Sequence, residues 1–367
     1  MIIILLFIMN YSRVYSKLLP KMGQYGTFTL PMTFQKFRSS DVVRHTRKPG
    51  NCTIFDVSHM GVFETRNTNR LNDLLHLNLG KLKNNKGRLA VILEGENDNC
   101  VVDDLIVSRI DYNKYRLVIN ANTRDFYREK EYLKECNKTI LAIQGPYSQK
   151  LLEEITNTYL SDLYFMENRT IYKDEFEICR CGYTGEDGFE IYIEGQDSDL
   201  SKEIIGRLIE KSLDSSLESN ISNNIMFGGL IERDILRLEA GLWLAGSEFS
   251  RDNPIKFNAL NSKFLIDNRY RNNEHFETFT RMKFISSEKP LKTGPIYYND
   301  NDNDNRIIGI ITSSGKSFNL DKFIGIGFIN NDNPIESKLA YSLGNNNKKI
   351  HLTIHDSPFI NGKYYRK

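Results

Sequence analysis

Apolar and polar residues alternate most regularly over 176–193, FEICRCGYTGEDGFEIYI, where Phe176 and Ile178 are answered by Phe189, Ile191 and Ile193 across a glycine-rich interval. Period-two alternation predicts two half-buried strands. Gly182, Gly185 and Gly188 permit backbone angles closed to other residues, and Asp187-Gly188 is a hairpin signal. The same alternation turns Glu190 to the face opposite Phe189 and Ile191. On local grounds this is a hairpin carrying a solvated glutamate.

Elsewhere the pattern switches between strand and helix periods. Strands are expected at Gly87–Leu93, Val101–Val107, Tyr115–Asn120 and Leu141–Gln144, and helices at Leu71–Leu79 and Asp199–Leu213. Asn122 or Thr123 would cap a helix carrying Phe126, Leu133 and Cys136, and Gly145-Pro146 would open another. In ERDILRLEAGL, 232–242, helical spacing puts Arg233 and Arg237 on one face with Gly241 as terminator, which locally reads as a salt-bridged surface helix. Trp243, the only tryptophan, reads as core. From about Phe276 the chain turns to short strands, which suggest a small barrel or sandwich. The polar run Asp300–Asn305 reads as a flexible loop tip.

Two aspartates, Asp103 and Asp104, interrupt an apolar strand, a costly placement that asks for a cause. Alternation groups Asp104 with Val102 and Ile106, and Asp103 with Val101 and Leu105, so the carboxylates face apart. That argues against a paired-carboxylate glycosidase or aspartic protease. An edge strand with one solvated and one turn-capping aspartate is the local alternative. Ser58 and His59 are adjacent, and strand neighbours point to opposite faces, so they make no nucleophile–base dyad.

Composition narrows the picture. With 367 residues the chain can hold two or three units of domain size, and a net charge of +2 with scattered basic residues gives no nucleic-acid footprint. Cysteines 52, 100, 136, 179 and 181 are odd in number and lack zinc spacing, which favours buried thiols in a reducing compartment. His351 and His355 lack a third ligand, and no metal is expected. The apolar run Ile2–Met9 is too short to span a bilayer, so no membrane association is expected. Arg13, Lys17 and Lys21 follow it with no acid before Asp41, which suits a mitochondrial presequence over 1–21.

GYTGEDGFEI resembles the signature of the aminomethyltransferase family, the T-protein of the glycine cleavage system. Further segments resemble that family in the same order: MGQYGTFTLPMTF from Met22, FDVSHM from Phe55, DDLIV from Asp103, the run ending at Asn120-Ala121, LAIQGP from Leu141, ERDILRLEAGL, the stretch Gly309–Leu320, and PFINGKYYRK from Pro358. The resemblance implies an α+β fold of three units in a ring around a central folate cavity. Two are mixed units with antiparallel sheets, interleaved over 22–275, and the third is a C-terminal β-barrel over 276–367. It implies transfer of a one-carbon unit from an aminomethylated lipoyl carrier, the H-protein, to tetrahydrofolate with release of ammonia, in the mitochondrial matrix. It gives Asp104 as the catalytic carboxylate and places Glu190, Arg233, Tyr364, Tyr183, Met60, Leu89 and Val118 at the folate.

Carrier docking would fall on basic residues of the barrel, including Arg281, Lys283 and Lys292. Departures from the family pattern are Phe28 for tryptophan, Asn99-Cys100 for Gly-Gly, Ser314 for glycine and Phe318 for proline. Two relatives compete. Non-catalytic folate-binding proteins of iron–sulfur assembly carry a KGCYxGQE-like motif, and demethylating modules accompany a flavin domain with a GxGxxG fingerprint; the sequence contains neither.

Overall fold

A computed structural model describes residues 15–366 except 96–99, 172–175, 196–197, 214–223, 261–279, 300–304, 331–339 and 345–347. The polar run at 300–305 and Asn99 therefore lie almost wholly outside the described residues. The fold is mixed α and β, with two sheets, a barrel-like third sheet and a short N-terminal hairpin, Pro20–Tyr25 against Phe28–Phe34.

In the first sheet the strands run in the order Asn168–Thr170, Phe176–Cys179, Gly188–Glu194, Lys138–Gln144, Cys52–Asp56 and Ile225–Phe227, the last pairing in parallel. Its alternation sorts the side chains. Phe176, Ile178, Phe189, Ile191 and Ile193 pack with the apolar stripes of the helices Ser148–Thr156 and Asp199–Leu213. Phe55, Ile140, Ala142, Cys179 and Tyr192 occupy the other face, against Ile235 and Leu236 of the helix Leu230–Glu239.

The second sheet has the order Ile255–Lys256, Cys100–Asp111, Lys114–Ile119, Gly61–Thr65 and Lys134–Cys136, with Lys86–Glu94 also paired to Cys100–Asp111. The chain leaves the first sheet at Asp56, builds most of the second and returns at Lys138, so the two are interleaved. The third sheet runs from Lys349–His351 through Ala340–Leu343, Gly294–Asn299, Asn305–Ser317, Lys322–Asn330 and Thr280–Ser287 to Thr353–His355. Its two ends are consecutive pieces of chain, and the Leu352 N–H between them bonds to Ala340 at 3.0 Å, so the sheet all but closes on itself.

Several local expectations give way to tertiary context. Asp187-Gly188 is no two-residue turn: the strands end at Cys179 and begin again at Gly188, joined by the loop 180–187. The Gln144 amide fills that loop, and a Cβ on Gly182 or Gly188 would come within 1.8 or 2.6 Å of its atoms. The helix after Asn120 stops at Arg128, and Cys136 belongs to a strand paired with Val62. Tyr15 and Leu18, inside the segment read as a presequence, are buried in the first core, with the Tyr15 hydroxyl 2.6 Å from Asp56.

A bulge opposite Ile92 and Leu93 changes the parity of the Asp103-Asp104 strand. Val102 packs with Leu105 and Val107, while Val101 falls in the cluster that contains Leu89 and Trp243. Asp104 therefore shares its face with Ile106 and not with Val102, as strict alternation would have had it. Nor is this an edge strand, since it has partners on both sides.

Candidate functional site

Between the two interleaved sheets lies a cavity of about 760 Å³ with a mostly apolar wall. The structure brings Asp104, Glu190, Arg233, Tyr364, Tyr183, Met60, Leu89 and Val118 all to its lining. They come from five parts of the chain: the second sheet, the turn before it, the glycine-rich loop and its strand, the helix Leu230–Glu239, and the C-terminal tail. The tail is tied in by the Lys363 N–H to Gly185 at 2.8 Å and by the Phe165 N–H to Tyr365 at 2.7 Å, and Tyr364 packs on Phe165 with centroids 4.4 Å apart.

Asp104 sits deep in the protein yet opens onto the cavity. Asn120 donates to its Oδ1 at 3.0 Å and the Trp243 indole N–H to its Oδ2 at 3.2 Å. Burial, and after it the neighbouring Asp103 charge, pushes its carboxyl up to about 7, against the pull of those two hydrogen bonds. Asp103 faces the other way and accepts from the Tyr127 hydroxyl at 2.9 Å, but the Asn120 amide reaches it too, at 2.9 Å. The two carboxylates are thus bridged by one side chain although their faces differ.

Glu190 is 3 % exposed, which removes the solvated reading. Its Oε2 accepts from the Tyr192 hydroxyl at 2.7 Å, and the Cys181 thiol lies beside it. Tyr192 in turn lies under Arg116, whose guanidinium is 4.0 Å from the ring centre and is buried with Glu177. The Arg233 guanidinium stacks 4.7 Å from the centre of the Tyr183 ring, and the Tyr183 hydroxyl donates to the Trp243 carbonyl. Arg237, expected on the same surface, is instead 1 % exposed and pairs with Glu248 at 3.0 Å.

Ser58 and His59 do not meet as a dyad: the Ser58 hydroxyl bonds to the backbone of Ile140. His59 lines the cavity beside the Tyr25 ring, its Nδ1 without a hydrogen-bond partner among the described residues. Burial, then Arg233 and Arg124, lowers its imidazole to about 3, so it is neutral at ordinary pH. All five cysteines are free thiols.

Such a site has two separate capacities. Glu190 offers carboxylate lone pairs to N–H donors on the edge of a flat ring. Asp104, half-ionised near neutrality, can exchange a proton with a bound group or hold a developing positive charge.

Residues 12–259 match the family model described as the GCVT N-terminal domain. An aminomethyltransferase of Thermoanaerobacter pseudethanolicus is 30 % identical, with 96 % of each chain covered. One from Oceanobacillus iheyensis is 31 % identical over 83 % of this chain and 85 % of its own. The chain belongs to the aminomethyltransferase family. The crystal structure of the glycine cleavage system aminomethyltransferase T from Bartonella henselae superposes with a TM-score of 0.79 at 24 % identity, covering 96 % of this chain and 98 % of that one, which establishes the shared fold.

Two of the cavity residues that the sequence does not announce touch Asp104 directly. Trp243 was expected in the core and instead reaches Asp104. Asn120 appears only as part of a matching segment, although a polar residue ending the apolar run YRLVI beside two strand aspartates was a usable signal.

Proposed function

We infer that this chain is an aminomethyltransferase of the glycine cleavage system, moving a one-carbon unit from an aminomethylated lipoyl arm of the H-protein to tetrahydrofolate. Family membership supports the activity. The observation that carries the assignment of roles is the convergence of Asp104 and Glu190 on one largely apolar cavity. In this reading Glu190 accepts the paired N–H groups of the amino-pyrimidine edge of tetrahydrofolate, with Tyr183, Met60, Leu89, Val118 and Tyr364 around the ring and Arg233 against the ligand.

Asp104 orients the nucleophilic nitrogens and stabilises the positive charge that develops as the aminomethyl carbon is released. Two nitrogen–carbon bonds form on the folate, and the carbon–sulfur and carbon–ammonia bonds break. The two protons lost from the folate nitrogens end on the lipoyl sulfur and the departing ammonia. An apolar wall keeps water from the electrophilic carbon in between.

The test is ammonia release from an aminomethylated lipoyl carrier with and without tetrahydrofolate. Folate-dependent release is expected, and release at one slow rate in both conditions would overturn the reading.

A mitochondrial matrix location is part of the same proposal. It is supported by the acid-free basic stretch that precedes Asp41. Because Tyr15 and Leu18 are packed in the fold, a removable segment would end ahead of Tyr15. A fluorescent protein carrying residues 1–14 that stays cytosolic would refute it.

A further inference from the structure

The tripeptide Leu242–Leu244 follows the Arg233 helix and is gripped at each residue. Arg237 Nη1 donates to the Leu242 carbonyl at 3.1 Å, Tyr183 donates to the Trp243 carbonyl, and the Leu244 N–H donates to Glu248 Oε2 at 2.7 Å. Gly241, at φ +68°, makes the turn, and a Cβ there would meet Phe284 and Pro358 at 2.6 Å. Glu248 is itself completed from the barrel, by Thr312 Oγ1 at 2.9 Å and by the Ser313 hydroxyl. All three residues line the cavity, and from among them the Trp243 indole reaches Asp104.

We propose that Trp243 is a positioning residue for Asp104, its indole N–H fixing Oδ2 while Asn120 fixes Oδ1, and that the barrel sets the indole through Glu248. With one oxygen held on each side, the carboxylate plane cannot turn about its Cβ–Cγ bond, and its remaining lone pairs are aimed into the cavity. Both donors are neutral. They favour the charged form without the strong acidification that an arginine would bring, so the group keeps its basicity near neutral pH. This rests on the role given to Asp104 above.

The groups that bear electrostatically on Asp104 are Asp103 from its own strand, with Tyr127 behind it, Glu248 from the turn and Tyr183 from the glycine-rich loop, while Arg233 and Arg237 from the helix act on Tyr183. Burial keeps Tyr183 and Tyr127 as phenols. Trp243 is the only tryptophan, so indole emission reports on this spot alone.

The experiment has two arms. In the first, substrate-free wild type and Asp104→Asn are titrated by fluorescence. Wild-type emission should change with a midpoint near 7, and the change should vanish in the variant. An unchanged titration in Asp104→Asn would break the proposed link. In the second arm, the pH profile of kcat is measured for Trp243→Phe. We expect roughly tenfold slower turnover at neutral pH, an acidic limb moved up by about half to one pH unit, and partial recovery in alkali.

A Trp243→Phe profile superposing on wild type would overturn the proposal, and so would a uniform loss at every pH. The fluorescence arm needs no substrate and no variant at Trp243, so it stands even where Trp243→Phe folds poorly. A link seen by fluorescence in a protein without folate-dependent ammonia release would sink the assignment of function and leave the contact in place. An active enzyme indifferent to Trp243→Phe would sink only the present proposal.

Discussion

Buried carboxylates occur in two regions of this molecule, and they are treated in opposite ways. At the seam between the barrel and the rest of the chain, Glu239 accepts from Arg47 at 2.8 Å, from Ser317 at 2.6 Å and from Asn319 at 2.9 Å, while Glu248 accepts from Arg237, Leu244, Thr312 and Ser313. A carboxylate offers about four acceptor sites, so Glu248 is full. In the cavity, Asp104 has Asn120 and Trp243, and Glu190 has Tyr192 and the Cys181 thiol. Neither is in an ion pair among the described residues. A carboxylate saturated by cations and hydroxyls holds two units together; one left with neutral donors and spare lone pairs is a receptor for something else.

The largest effect should come from emptying the seam. Glu239→Ala leaves Arg47 with one of its two carboxylate partners and should cost about 3–5 kcal/mol in chemical denaturation, while the folded protein still binds tetrahydrofolate with near wild-type affinity. Loss of affinity in parallel with stability would blur the contrast drawn here.

Asp104→Asn should do the reverse. Turnover should fall by at least about a hundredfold with folate binding kept. Stability should change in the opposite sense. The folded carboxyl is raised from 3.8 to about 7, so the fold favours the protonated form below 3.8 and loses that preference as pH rises towards 7. The asparagine variant should therefore match wild type near pH 4 and be more stable above pH 7, by on the order of 1–4 kcal/mol. A variant less stable than wild type at pH 8 would mean that Asp104 has a structural partner.

Glu190→Gln turns an acceptor into a donor facing donors and should weaken tetrahydrofolate by about 1.5–3 kcal/mol in calorimetry. The ligand-free protein should melt where wild type does; equal losses in both would assign Glu190 to the hairpin. The smallest effect concerns carrier docking. Lys283 is already engaged by Asp356, whereas Lys292 is exposed. Lys292→Glu should raise the KM for the carrier a few-fold at low ionic strength and progressively less as salt is added, with tetrahydrofolate affinity unchanged. A KM that does not move at low salt would take Lys292 off the docking surface.

The readability of the chain follows the same division. Strands such as 176–179 and 188–194 were legible because period-two alternation separates an apolar face from a polar one, although both faces turn out to be buried. Motif resemblance reached the cavity residues, which no local periodicity would have brought together. What escaped depends on distant partners. The bulge at Val102 arises where Ile92 and Leu93 meet it, and no pattern within 100–111 announces it. Cys136 fell at a helical interval yet pairs in a strand with Val62, because sheet closure there outweighs propensity. Trp243 read as core because an indole usually is; that its N–H meets a carboxylate 139 positions away is a fact of tertiary structure.

The route of the chain, out of the first sheet at Asp56 and back at Lys138, also sets the order in which the molecule can be completed. On the ribosome, Cys52–Asp56 emerges long before its neighbours at 138–144 and 225–227 have been made, and both of its edges stay open while the inserted sheet assembles around Asp103 and Asp104. Ile54 and Phe55, fully covered in the finished protein, are thus open to solvent during synthesis, as a strand that other nascent chains or a chaperone can pair with. Asp104 meanwhile waits without the turn that carries Trp243 and Glu248. The site is therefore complete only once the barrel and the tail bearing Tyr364 have been made, more than a hundred residues after its other walls.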